Sequence, residues 1–310
     1  AAQTEQMKEQ LKDLKALRAK AEFEDELTRY FRDLYRFHKL FPKRGEFYDP
    51  FASALDFTAV PVVSEVMESA DDVSTIAEFY FKRGYYAEAL PLLKNVSHSS
   101  DAAPHVWEKI GFCLEKAPSG NQEAIEAYMK AQLFNPDSRW IARRLGICYR
   151  RETDYRNALE YMEMARPDNG AFDRSLSLLI ADTLMEAGKW EDALRELYRV
   201  DYESPDDPDV LRRMARCAFR SSGLDKAESF IKTIPDISLG EEDYRLMGHI
   251  AFLRKDMGEA ARLYRLTVRP NDEKRLWKSQ ILSDLDILVA LGASRTDLLL
   301  LLESLSYSLE

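Results

Sequence analysis

The feature that most constrains this chain is a small residue that returns at a fixed interval. Pairs of glycine or alanine stand 12 or 13 residues apart at 77/89, 111/124, 146/158, 181/193, 215/227 and 248/260. The first members, Ala77, Gly111, Gly146, Ala181, Ala215 and Gly248, follow one another at intervals of 33–35 residues, and the second members keep the same phase. A period of that length, held over six copies, describes a stack of like units, each too thin to bury a core of its own. Gly111→Ala124 is the 13-residue step, and "PSGN" at 118–121 supplies the extra turn residue.

Each copy reads as two helices. The first carries apolar side chains around its small residue, as in Ile110-Gly111-Leu114 and Leu145-Gly146-Tyr149, spacings that fall on one helical face. A turn follows, often with glycine, as in "KRGYY", "EAGKW" and "SSGLD". The second helix places an apolar residue four after its alanine: Leu93, Tyr128, Met162, Leu197, Ile231 and Tyr264. Pro136 and Pro205 close two copies, because proline resists continuing a helix. Small residues are expected where two helices cross closely, since a larger side chain there would overpack at a cost of ~1–3 kcal/mol.

Trp107, Ile110-Gly111, Leu114, Ala124, Tyr128, Ala131 and Pro136 resemble the tetratricopeptide-repeat signature, and the resemblance runs over residues 71–272. Single copies are degenerate: Trp140 sits two residues early, and the copy of Ala215 lacks the first-helix aromatic. The resemblance implies an all-α, right-handed superhelical solenoid of antiparallel helix pairs, about six repeats with capping helices.

Around the array, residues 1–70 are expected to form a long N-terminal helix and connector. Residues 3–40 keep an apolar 4–3 pattern with a break around 18–26, read as a helix packed on the array in preference to a coiled-coil arm. "FPKRGEFYDPF" breaks the helix and leads toward another near 62–69. Residues 273–310 read as a capping helix pair joined near Gly292, with a degenerate seventh copy as the alternative reading and Ser294 or Thr296 capping the last helix.

The chemistry in the sequence is sparse. Cys113, Cys148 and Cys217 each follow their small residue by two, a repeat position that marks them as small core residues and keeps them too far apart for a shared metal. No HExxH, CxxC, GxSxG, GxxxxGK[ST] or GxGxxG occurs, and acidic runs such as "SPDDPD" read as turns and helix starts. The expectation is no enzyme, no cofactor and no metal. A net charge of −10 and a pI near 5.2 argue against nucleic acid, and no apolar run spans a bilayer. The opening "AAQTEQMKEQ" lacks an initiator methionine and a signal-peptide core, so a fragment of a longer chain is expected in preference to a cleaved mature form, and a cytoplasmic location with it.

The resemblance further implies that first helices line a groove, through the residues six and three before and one, four and five after each small residue. Of these, Phe112, Trp140, Arg143, Ile147, Arg150, Arg151, Arg212, Arg216, Phe219, Arg220, Arg245, His249 and Phe252 are the candidate peptide-binding residues. Arginine forks grip carboxylates and aromatics anchor apolar side chains, so an acidic–apolar segment suits the lining. The competing expectation is that Asp182 and Glu186 neutralise those arginines from within. Residues after the small ones include no asparagine, which argues against the chaperone-tail clamp known in the family. The resulting reading is a protein–protein interaction scaffold whose partner is a peptide or partner helix. A regulatory or sensor segment of a longer chain, bearing a catalytic or DNA-binding module, is the alternative, and a homodimer through the N-terminal helix is a further expectation.

Overall fold

The computed structural model describes residues 29–30, 33, 70–97, 104–168, 170–221, 223–268 and 276–308. Residues 29, 30 and 33 are helical; the rest of the expected N-terminal helix, its connector and the helix near 62–69 lie outside the described residues. Two compact units divide the chain, residues 1–102 and 103–310.

In the first unit, α1 (Ala70–Lys82) and α2 (Tyr86–Ser97) form one antiparallel pair. Ala77 and Ala89 meet at its centre with no exposure, and Leu92, Leu93 and Val96 line the buried face of α2.

The second unit continues as pairs: α3 (Pro104–Lys116) with α4 (Asn121–Phe134), α5 (Arg139–Arg151) with α6 (Tyr155–Met164), and α7 (Arg174–Glu186) with α8 (Trp190–Glu203). Then come α9 (Pro208–Arg220) with α10 (Leu224–Thr233) and α11 (Glu241–Leu253) with α12 (Met257–Arg265). Within this unit each helix packs on its own partner, and the second helix of each pair packs on the first helix of the next. No strand occurs among the described residues.

Every repeat-phase position is buried. The small residues and the second-helix anchors, from Leu93 to Tyr264, are all at most 2% exposed where a fraction is given. At Gly146, an added Cβ would stand 2.7 Å from Met162 Cγ and 3.1 Å from the Ala158 carbonyl, so the two helices cross there. The anchor's size follows the small residue's. Gly111 and Gly248 face tyrosines, with an added Cβ at 2.7 Å from the Tyr128 ring and 2.5 Å from the Tyr264 ring. Where alanine takes the first position, at 77, 181 and 215, the anchor is Leu93, Leu197 or Ile231. At these five crossings a methyl on one side stands in for a larger ring on the other, while Gly146 meets the unbranched Met162 instead.

The intra-pair turn has a fixed geometry too. Seven residues after the small residue the backbone is left-handed at Gly84 (φ 79°), Thr153 (φ 60°), Gly188 (φ 73°) and Lys255 (φ 64°). This is the position that terminates the first helix and reverses the chain. Several helix starts are capped by side chains: Asp154, Asp173, Asp207 and Asp256 accept from backbone N–H groups of α6, α7, α9 and α12 at 2.9–3.2 Å. Asp207 belongs to the "SPDDPD" run, whose acids therefore serve a helix start.

At the C-terminal end the expected first pattern is not one helix. It breaks at Asp284 into α13 (Leu276–Ser283) and α14 (Leu285–Ala290), and α15 (Arg295–Ser308) follows the left-handed Gly292. Ser294 Oγ accepts from Asp297 N at 3.3 Å and caps α15. Leu298, Leu302 and Leu305 are buried, and α15 packs on α12.

Candidate functional site

First helices of successive pairs converge on one concavity of about 460 Å³. It takes Arg150 from α5; Asp182, Met185 and Glu186 from α7; residues of α9 and α11; Trp190 at the start of α8; and Asp284 and Ile287 from the C-terminal end. Of the thirteen candidate residues, Arg150, Arg212, Arg216, Phe219, Arg220, Arg245 and His249 meet here.

The others lie elsewhere. Phe112 and Trp140 flank the Arg144 guanidinium, at 4.9 and 5.3 Å from its carbon to the ring centroids. Trp140 also stands edge-on to Tyr128, and 41% of its surface is exposed. Arg143 bonds Asp173 at 3.1 Å and Ser175 at 2.6 Å. Arg151 reaches the buried Glu115, which Arg144 and the Tyr128 hydroxyl also contact. Ile147 is half-buried, and Phe252 belongs to the core beneath α11.

Five arginines and five carboxylates line the concavity, so its formal charge cancels. Arg150 holds Glu186 through two bonds of 2.8 and 2.5 Å, and this pairing keeps the Glu186 carboxyl below its usual range. Arg212 meets the buried Asp243 at 3.0 and 3.1 Å and also bonds the Ser238 carbonyl. Asp182 pairs with Arg213 at 2.9 Å, an arginine outside the candidate set. Internal pairing thus takes Glu186 as expected, while Asp182 serves another partner. The ties run between successive repeats: Arg150 and Arg212 each reach a carboxylate of the following pair, and Arg213 reaches one of the preceding pair.

At the far wall His249 is buried between Tyr264 and Asp284. Its Nδ1 lies 2.8 Å from the Tyr264 hydroxyl and its Nε2 3.2 Å from Asp284 Oδ2. An ionised carboxylate only accepts, so Nε2 carries the ring proton and donates to Asp284, while the Tyr264 hydroxyl donates to Nδ1. Burial lowers the His249 pKa although Asp284 pulls the other way. Burial raises Asp284, but the His249 bond and the charges of Arg245 and Arg220 outweigh it and hold its carboxyl low. Arg245 itself stands 3.4 Å from Asp284. No sequence signal marks this contact, because Asp284 lies beyond the six copies, where repeat phase predicts no position.

The tetratricopeptide-repeat family model matches residues 184–250, from the end of α7 into α11. Over residues 184–250 the chain carries tetratricopeptide-repeat sequence. Among solved structures, it is similar to PilF of Pseudomonas aeruginosa, with 14% identity over 70% of this chain and 98% of that one and a TM-score of 0.50. It is also similar to MamA from AMB-1, at 18% identity, 56% and 94% coverage and a TM-score of 0.48. For MamA of Desulfovibrio magneticus RS-1 the figures are 18%, 53% and 91%, and 0.47. No curated protein matches the chain. At these identities the likeness is one of fold alone, a helical solenoid. None of the described helices is long and apolar enough to cross a membrane.

Proposed function

We propose that this chain is a non-enzymatic scaffold whose concavity in the second unit holds a segment of another protein, peptide or helix, with acidic character. One observation carries the reading: first helices of four successive pairs send side chains into the same concavity, where guanidinium groups alternate with Met185, Trp190, Phe219 and Ile287. A surface of that composition recognises a chain with both charged and apolar side chains, the mix found at the centre of protein interfaces. Arg150, Arg212, Arg245 and His249 are engaged there in ties between helices or to Asp284, an arrangement that serves shape and charge more than proton transfer.

A photo-crosslinking amino acid tests it. Placed at Met185, inside the concavity, it is expected to capture a discrete protein adduct in native extract that is absent when the same group stands at Tyr202, which is 84% exposed outside it. Equal capture at both positions, or adducts at Tyr202 alone, would place the binding surface elsewhere.

A further inference from the structure

The five arginines of the concavity are not equivalent. Arg150, Arg212 and Arg245 are each tied to a carboxylate of a neighbouring segment, Glu186, Asp243 and Asp284, at 2.5–3.4 Å. Arg216 has only Glu242, at 3.9 Å, with both side chains more than half exposed. Arg220 makes no ion pair among the described residues; its guanidinium lies over the Trp190 ring, 5.0 Å from the centroid. Arg216 and Arg220 stand four apart on α9, so they share a face, and like charges at that spacing repel.

We propose that Arg216 and Arg220 form a subsite for one carboxylate side chain of the bound segment, with the partner's next apolar residue seated against Trp190 and Met185. The proposal rests on the scaffold reading and deepens it. Charge complementarity fixes the occupant. Every other arginine of this concavity already holds a carboxylate, so the two that lack a close one repeat the same pairing with an outside group, and a planar carboxylate suits a guanidinium fork. Apolar surface adjoins them: Trp190 beneath Arg220, with Met185 and Phe219 lining the same concavity. The three tied arginines are positioning residues that hold successive helices in register.

Three fluorescein-labelled, C-terminally amidated peptides test it by anisotropy, each with Leu-X-Leu in a glycine–serine frame and X as Glu, Gln or Lys. Wild type is expected to bind the Glu peptide about tenfold or more tightly than the Gln peptide, with the preference falling as salt rises. Arg216→Glu/Arg220→Glu should lose the Glu peptide and gain the Lys peptide. That inversion cannot come from misfolding, and Arg262→Gln, which alters an arginine paired with Glu259 on α12, should leave all three affinities unchanged. Equal binding of Glu and Gln peptides, or an unchanged preference in the double variant, overturns the subsite and leaves the scaffold reading standing. A phosphoserine peptide bound more tightly than the Glu peptide overturns the choice of carboxylate. Failure of all peptides to bind wild type overturns the subsite as well, and the Met185 crosslink then decides separately whether the concavity binds protein at all.

Discussion

Gly248→Ala puts the close helix crossing to a quantitative test. The added methyl would stand 2.5 and 2.6 Å from two Tyr264 ring carbons, where ordinary contact begins near 3.4 Å. The ring must shift by nearly 1 Å, yet Tyr264 is fully buried and its hydroxyl is bonded to His249 at 2.8 Å. Overpacking of this kind costs ~1–3 kcal/mol. Weakening the hydroxyl bond adds about 1 kcal/mol. Replacing a mid-helix glycine by alanine returns up to about 1 kcal/mol. The net expectation is a loss of about 1–3 kcal/mol, roughly 2–12 °C in Tm for a unit of this size. Gly146→Ala should cost less than Gly248→Ala, since the atom it crowds most, Met162 Cγ, is on an unbranched chain that can rotate away, leaving the Ala158 carbonyl oxygen at 3.1 Å as the smaller clash. Urea melts followed by circular dichroism measure both. The decisive variant is Gly248→Ala/Tyr264→Leu, which installs the pairing found at Ala181 and Leu197. It should be more stable than the sum of the single losses predicts, by about 1–2 kcal/mol. A neutral Gly248→Ala, or strict additivity in the cycle, would refute constant-volume packing at the crossing.

Three further outcomes follow from the same coordinates. Leu145→Ala, at a fully buried position, should cost ~2–5 kcal/mol by urea denaturation, and a loss below about 1 kcal/mol would mean its face is not core. Thr153→Gly and Lys255→Gly, at left-handed turn positions, should each raise Tm, by about 0.5–1 kcal/mol of stability, whereas Gly188→Thr should lower it. Acidification should weaken the second unit through His249. Its folded pKa lies below the ordinary 6.5, so the unfolded chain binds the proton first and stability falls as pH drops below about 6.5, continuing to the folded pKa. Asp284, also lowered, adds to the loss at more acid pH, and His249→Gln should flatten the portion of a Tm–pH curve just below pH 6.5 while leaving the carboxylate portion.

The repeat was legible because its cause is local and recurs. A close helix crossing admits only glycine or alanine, and six crossings write that restriction into the sequence six times. Burial of Ala77, Gly146 and Ala260, and of all six anchors, follows from the phase alone. The matching of glycine to tyrosine and alanine to leucine was equally present in the sequence, as a correlation of residues 16 or 17 apart, but its meaning needs the ring to be seen against the missing methyl. The left-handed turn position was half legible: Gly84 and Gly188 mark it, while Thr153 and Lys255 occupy it without a sequence sign, because the turn imposes the conformation on whatever residue stands there.

The candidate site divides differently. Repeat phase identified first-helix positions, and seven of thirteen candidate residues share the concavity. It did not separate the arginines, since their partners lie about one repeat away and depend on how far each helix pair rotates over the next. That rotation puts Glu186 under Arg150, sends Asp182 to Arg213, and leaves Arg220 over Trp190 instead of on a carboxylate. Nor did it foresee Asp284, which lies between α13 and α14, beyond the six copies, and reaches His249 from there. Sequence by itself determined that helices pair and stack, since that outcome is set by volume at each crossing. Tertiary structure alone decided which charges are spent inside and which remain for a partner, because an ion pair depends on a few ångströms between helices that no single repeat contains.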